Sequence, residues 1–97
     1  GVDENTAVCI DSDGTCVIYG EGKSYFLIGV TKPEVCTSGN PLTWFSNGHA
    51  VKVCAVVGTE TGSHKFNLNQ WDGEGEWQFW FARNGEFSEQ DIVETDL

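Results

Sequence analysis

The sequence predicts an all-β fold: a small disulfide-stapled antiparallel β-sandwich of Greek-key type, or a small barrel, with about 7–8 short strands. Three observations carry this. Gly-bearing turn signals recur at short intervals, the segments between them are rich in Val, Ile, Phe, Tyr and Trp, and the four cysteines are an even number, suited to two disulfides in an oxidising compartment. No segment shows a persuasive helical period.

The strand candidates in order are Thr6–Ile10, Thr15–Tyr19, Ser24–Val30, Leu42–Ser46, His49–Val57, His64–Trp71, Trp77–Arg83 and Glu86–Val93. Asp13-Gly14, Asn47-Gly48 and Asn84-Gly85 each lie between apolar runs and predict two-residue type I′ hairpins. Around Asp13-Gly14 that turn sets Asp11 opposite Cys16 and Cys9 opposite Ile18. Cys9 and Cys16 are then diagonal, which disfavours a bridge between them. The turn at Asn47-Gly48 sets Trp44 opposite Val51 and Leu42 opposite Val53, making Trp44 a core residue. Ser24–Val30 is apolar on both faces and predicts a central strand. Glu86–Val93 predicts an edge strand running into a loose tail. A chain of 97 residues predicts one domain, 1–97, with loose termini at 1–5 and 94–97.

His64–Arg83 predicts a further hairpin whose register its own side chains select. A four-residue loop, Asp72–Gly75, sets Leu68 opposite Phe79 and Phe66 opposite Phe81, with Trp77 on the same apolar face. A slip of one residue would invert every side chain. The opposite face then carries Asn67, Asn69, Trp71, Gln78 and Trp80, and the Asn84-Gly85 hairpin adds Glu89 beside Trp80 and Asp91 beside Gln78. Aromatic plates among amides and carboxylates suit a glycan, whose C–H surface meets the rings, and equally suit a protein partner. Trp44 and Trp77 are expected in the core, Trp71 and Trp80 wholly or partly exposed.

Fifteen acidic residues against five basic ones argue against nucleic acid, which needs clustered Lys and Arg. Residues 1–36 carry six acids and two bases, 37–71 one and two, and 72–97 eight and one, so a weakly positive middle separates two acidic ends. No apolar run is long enough for a membrane span or a signal peptide. The opening Gly-Val without Met reads as a mature, processed chain, or equally as a trimmed one. No Asn-X-Ser/Thr sequon occurs.

Metal chemistry finds little support. No Cys-X2-4-Cys pair exists for zinc, and neither Asp11-Ser12-Asp13-Gly14 nor Asp72-Gly73-Glu74-Gly75-Glu76 has EF-hand spacing. No metal or other cofactor is expected, and Cys9, Cys16, Cys36 and Cys54 are assigned to disulfides. Serine-hydrolase, zinc-protease and phosphate-loop motifs are missing from the sequence. Of the two histidines, His49 lies at a strand start and reads as structural. His64 faces Arg83 in the hairpin, with Glu76 near its opposite end, and carboxylate, imidazole and guanidinium are the groups a small ribonuclease uses. The run His64-Lys65-Phe66-Asn67, followed by Glu76-Trp77, resembles a stretch of the small secreted guanyl-specific fungal ribonucleases over about a fifth of the chain. That family's long helix and its second catalytic histidine near the C-terminus have no counterpart here.

The expected function is therefore a secreted, non-enzymatic binding module of effector, toxin or lectin type, meeting an extracellular glycan or protein through Asn67, Asn69, Trp71, Gln78 and Trp80. The alternatives are a small secreted ribonuclease using His64, Glu76 and Arg83, and an inhibitor of a secreted enzyme that inserts the Trp-rich hairpin or the loop Thr37–Leu42.

Overall fold

The computed structural model describes residues 1–91; the expected tail, 94–97, and the last two residues of the expected strand Glu86–Val93 lie outside the described residues. Eight strands are formed: β1 Thr6–Ile10, β2 Thr15–Gly20, β3 Lys23–Gly29, β4 Val51–Val57, β5 Lys65–Asn67, β6 Asp72–Gly73, β7 Glu76–Arg83 and β8 Glu86–Asp91. They make two four-stranded antiparallel sheets, ordered β1-β2-β5-β6 and β3-β4-β7-β8. No α-helix occurs among the described residues. The chain divides into two compact units, Gly1–Phe26 with Cys54–Glu76, and Leu27–Val53 with Trp77–Leu97.

In the first unit β1 and β2 form the expected hairpin, but one residue out of the expected register. Ile10 opposes Cys16 and Cys9 opposes Val17. The turn is longer than two residues: the Asp11 N–H donates to the Thr15 carbonyl and the Gly14 N–H to that of Asp11, with only Gly14 at positive φ. The cause is the Asp13 carboxylate, which accepts the Thr15 N–H at 2.9 Å. This bond fixes a three-residue loop ending in a left-handed glycine and holds the Asp13 carboxyl below its usual range. On β2 the alternation then buries Cys16 and Ile18 completely and leaves Tyr19 exposed. With Phe66, Cys54 and Val56 they make this unit's core. Residues 1–5, expected to be loose, are tied along β3. Val2 bridges Ser24, the terminal amine donates to the Tyr25 carbonyl, and the buried Ser24 hydroxyl donates to the Gly1 carbonyl.

In the second unit the Asn84-Gly85 turn is the expected one. Both residues have positive φ, Arg83 opposes Glu86, and the register carries through to Trp80 opposite Glu89 and Gln78 opposite Asp91. The Asn47-Gly48 hairpin is not formed. Ser46–Gly48 is a turn of 3-10 helix in which Ser46 and Asn47 both have positive φ, and the Glu34 carboxylate accepts the Phe45 and Ser46 N–H groups at 3.2 Å. The expected pairing of Trp44 with Val51 is replaced by a bridge from Trp44 to Ala82, while Thr43 bridges Val35. Strand β3, expected to be central, ends its sheet, and Leu27 and Ile28 are 41% and 45% exposed. Alternation on both faces reports apolarity, and apolarity alone does not supply a second hydrogen-bonded neighbour.

No disulfide bond joins Cys9, Cys16, Cys36 or Cys54, so the expected stapling is absent. Opposed residues share a face of a hairpin, so the register that pairs Cys9 with Val17 puts Cys9 and Cys16 on opposite faces. Cys9 and Cys36 are exposed, and burial pushes the Cys16 thiol up. Alkylation of the reduced native protein with iodoacetamide is therefore expected to label Cys9 and Cys36 and to spare Cys16 until denaturant is added. Native labelling of Cys16 at the rate of Cys9 would show that β2 does not have its inner face covered.

Candidate functional site

The hairpin expected to unite Asn67, Asn69, Trp71, Gln78 and Trp80 is not formed. β5 pairs instead with β2 and with the short β6, so that Phe66 opposes Gly73 and Asn67 opposes Asp72. The chain reverses four residues earlier than expected, over Leu68–Trp71, because the Asn67 side-chain carbonyl accepts the N–H groups of Asn69 and Gln70, both at 2.9 Å. The Asn69 amide reaches across to the Asp13 carbonyl at 2.7 Å, and the Leu68 N–H donates to Gly14. Asn67 therefore holds its own turn, and Asn69 ties that turn to the β1–β2 loop.

Trp71 closes that turn at positive φ and faces inward. Its ring stands edge-on to Phe66, centroids 5.1 Å apart, and to Phe26 at 6.5 Å, while Phe26 and Phe66 stack at 4.0 Å. Its indole N–H is buried without a hydrogen-bond partner, so aromatic packing outweighs the desolvation of that donor. The core expectation for Trp44 and Trp77 is corrected as well: Trp44, Trp71, Trp77 and Trp80 are all half-buried.

Gln78 and Trp80 lie on β7 in the second unit, on the face shared by Ala82 and, across the hairpin, by Phe87, Glu89 and Asp91. The Trp80 and Phe87 rings meet edge to face at 5.6 Å. Beside them is an open groove of about 170 Å³ whose apolar wall includes Leu27, Leu42, Trp44, Val51, Trp80 and Phe87. Phe87 is 63% exposed and Leu42 38%. Trp44 is fixed by its indole N–H, which donates to the Thr31 carbonyl at 2.7 Å, and its ring lies against Gly29, where a β-carbon would come within 3.0 Å. The Gln78 amide on this face is already engaged. The Gln78 amide donates to Asp91 at 3.1 Å, and its carbonyl accepts the Trp80 indole N–H at 3.2 Å.

Leu27, Leu42 and Phe87 were not among the expected contact residues. Phe87 was legible: counting back from the Asn84-Gly85 turn places it opposite Ala82, on the Trp80 face. Leu42 was not, because its position depends on a hydrogen bond from the Gly85 N–H to its carbonyl, a contact with no periodic signature.

Two members of the alternative catalytic set belong to the first unit and one to the second. His64 and Glu76 line one shallow depression of the first unit, together with Glu74. The His64 Nδ1–H donates to the Val57 carbonyl at 2.8 Å, which leaves Nε2 as the acceptor nitrogen. Arg83 belongs to the second unit, where its guanidinium lies over the Phe45 ring at 4.5 Å. Among the described residues no group of three or more His, Cys, Asp or Glu side chains could hold a metal ion, and no helix is long and apolar enough to cross a membrane. No family model, curated protein or solved structure matches the chain.

Proposed function

We propose that the chain is a secreted, non-enzymatic binding module that engages a protein partner through the groove walled by Trp44, Trp80 and Phe87. The observation that carries this reading is the engagement of the amides. The Asn67 side-chain carbonyl holds a turn, the Asn69 amide bonds to the Asp13 carbonyl, and Gln78 bonds to Trp80 and Asp91, so each amide expected to meet the hydroxyls of a glycan already makes at least one bond within the chain. What is left open is apolar and aromatic surface, which suits side chains of a protein. The groove's volume supports the same choice, being below the roughly 300–1,000 Å³ of sites that enclose a small molecule. It can take one or two side chains of a larger partner. The Greek-key sandwich belongs to this reading, supported by two separate four-stranded sheets where a barrel would close one. Secretion is carried into this reading from composition alone, a small acidic chain with an even number of cysteines, and no disulfide supports it.

A capped neutral peptide of alternating Ser and Leu tests the groove against the other readings. It is expected to quench or shift the tryptophan emission saturably at millimolar concentration, and Trp80→Ala is expected to weaken that binding by about 2 kcal/mol. Cellohexaose and chitohexaose should leave the emission unchanged, and RNA should remain intact. Saturable oligosaccharide binding that Trp80→Ala removes would return the surface to a glycan. RNA cleavage lost in His64→Ala would move function to the depression beside Glu76.

A further inference from the structure

Two acidic residues share the face of the β7–β8 hairpin that carries Trp80 and Phe87 of the groove wall. On that face, Trp80 opposes Glu89 and Gln78 opposes Asp91, and both acids are exposed. The cations of β4 and β7 are held on the reverse side. The Lys52 ammonium sits 4.6 Å from the centre of the Trp77 ring, and the Arg83 guanidinium 4.5 Å from that of Phe45. Trp77 and Arg83 alternate with Gln78, Trp80 and Ala82 on β7, so cation–π contacts hold both cations away from the groove face.

We propose that the partner of this groove is a basic, apolar protein segment, in which an aliphatic or aromatic side chain fills the space against Trp44, Trp80 and Phe87 while flanking Lys or Arg side chains meet Glu89 and Asp91. This rests on the groove being the contact surface and adds the charge of what it takes. A second copy of the chain is the poorer occupant, because each copy carries a net charge of −10 and would bring the same acidic border against its own kind. A polyanion is excluded from the face for the same reason. Charges at the rim of an apolar contact act chiefly on encounter and on the choice among partners, and salt screens them.

The test uses the full chain and two capped peptides of equal length, one alternating Lys and Leu, the other Ser and Leu, followed by tryptophan emission. The lysine peptide is expected to bind about tenfold more tightly at low salt, as two rim ion pairs allow, and to lose most of that advantage by about 0.5 M NaCl. The double variant Glu89→Lys/Asp91→Lys, altered only at exposed positions, should bind the two peptides equally while its far-ultraviolet circular dichroism is unchanged. Equal, salt-independent affinity of the native chain for both peptides would overturn the charge assignment and leave the groove standing. A lysine advantage that persists in Glu89→Lys/Asp91→Lys would place the charge recognition elsewhere on this acidic chain and equally overturn it. Failure of both peptides to perturb the emission would remove the groove itself.

Discussion

Phe66→Ala is expected to cost about 3–5 kcal/mol of folding stability, the usual range for emptying a fully buried phenylalanine site. Phe66 is 1% exposed and is the largest fully buried side chain. It supports two others: Phe26 stacks flat on it, and Trp71 stands on its edge. Removing the ring leaves Trp71 at positive φ, with a buried N–H that has no partner, and without its nearest aromatic support. Gly73 cannot collapse into the space, since it lies opposite Phe66 and carries no side chain. Small domains have about 5–15 kcal/mol to lose, so the variant should unfold at a much lower urea concentration. Tyr19→Ala, at an exposed position of β2, is the control and should shift the midpoint little. A Phe66→Ala loss below about 1 kcal/mol would mean that the first unit has no such core.

The parts of this fold legible in the sequence are those set by a backbone requirement that few residues meet. Asn84-Gly85 fills both left-handed positions of a two-residue turn, and counting outward from it gives every pair of the β7–β8 hairpin, including Glu89 against Trp80. The same reasoning failed where a side-chain carboxylate decided the geometry. At Asp13-Gly14 the Asp13 carboxylate capping Thr15 lengthens the loop by one residue, and at Asn47-Gly48 the carboxylate of Glu34 holds a 3-10 turn. The largest misreading was the hairpin between His64 and Arg83. Asp72-Gly73-Glu74-Gly75 has the composition of a loop, yet Asp72 and Gly73 are a strand, and Gly73 is there because a β-carbon would lie 2.6 Å from the Phe66 ring. The true reversal was encoded in Asn67, whose side chain caps Leu68–Trp71. Two of the five expected contact residues, Gln78 and Trp80, therefore sit where the register of β7 put them, while Asn67, Asn69 and Trp71 serve turns and a core.

Phe79→Ala and Trp80→Ala should have opposite phenotypes although the residues are adjacent. Phe79 is 7% exposed and lies against His49, ring centroids 4.4 Å apart, so truncation empties a core position of the second unit and is expected to cost about 3–5 kcal/mol. Trp80 points to the other face, half-buried, with the Phe87 edge on one side and the Gln78 amide carbonyl on its indole N–H. Its loss removes partial burial and one hydrogen bond whose acceptor stays within reach of water, which together amount to about 1–2 kcal/mol. Stability is therefore mostly retained, whereas peptide binding in the groove should fall by about 2 kcal/mol, the loss expected of an aromatic anchor. Urea midpoints and fluorescence titrations on the same two proteins separate these effects. Where Trp80→Ala unfolds the chain and Phe79→Ala does not, β7 is turned by one residue, and Trp77, Phe79 and Phe81 would form the open face.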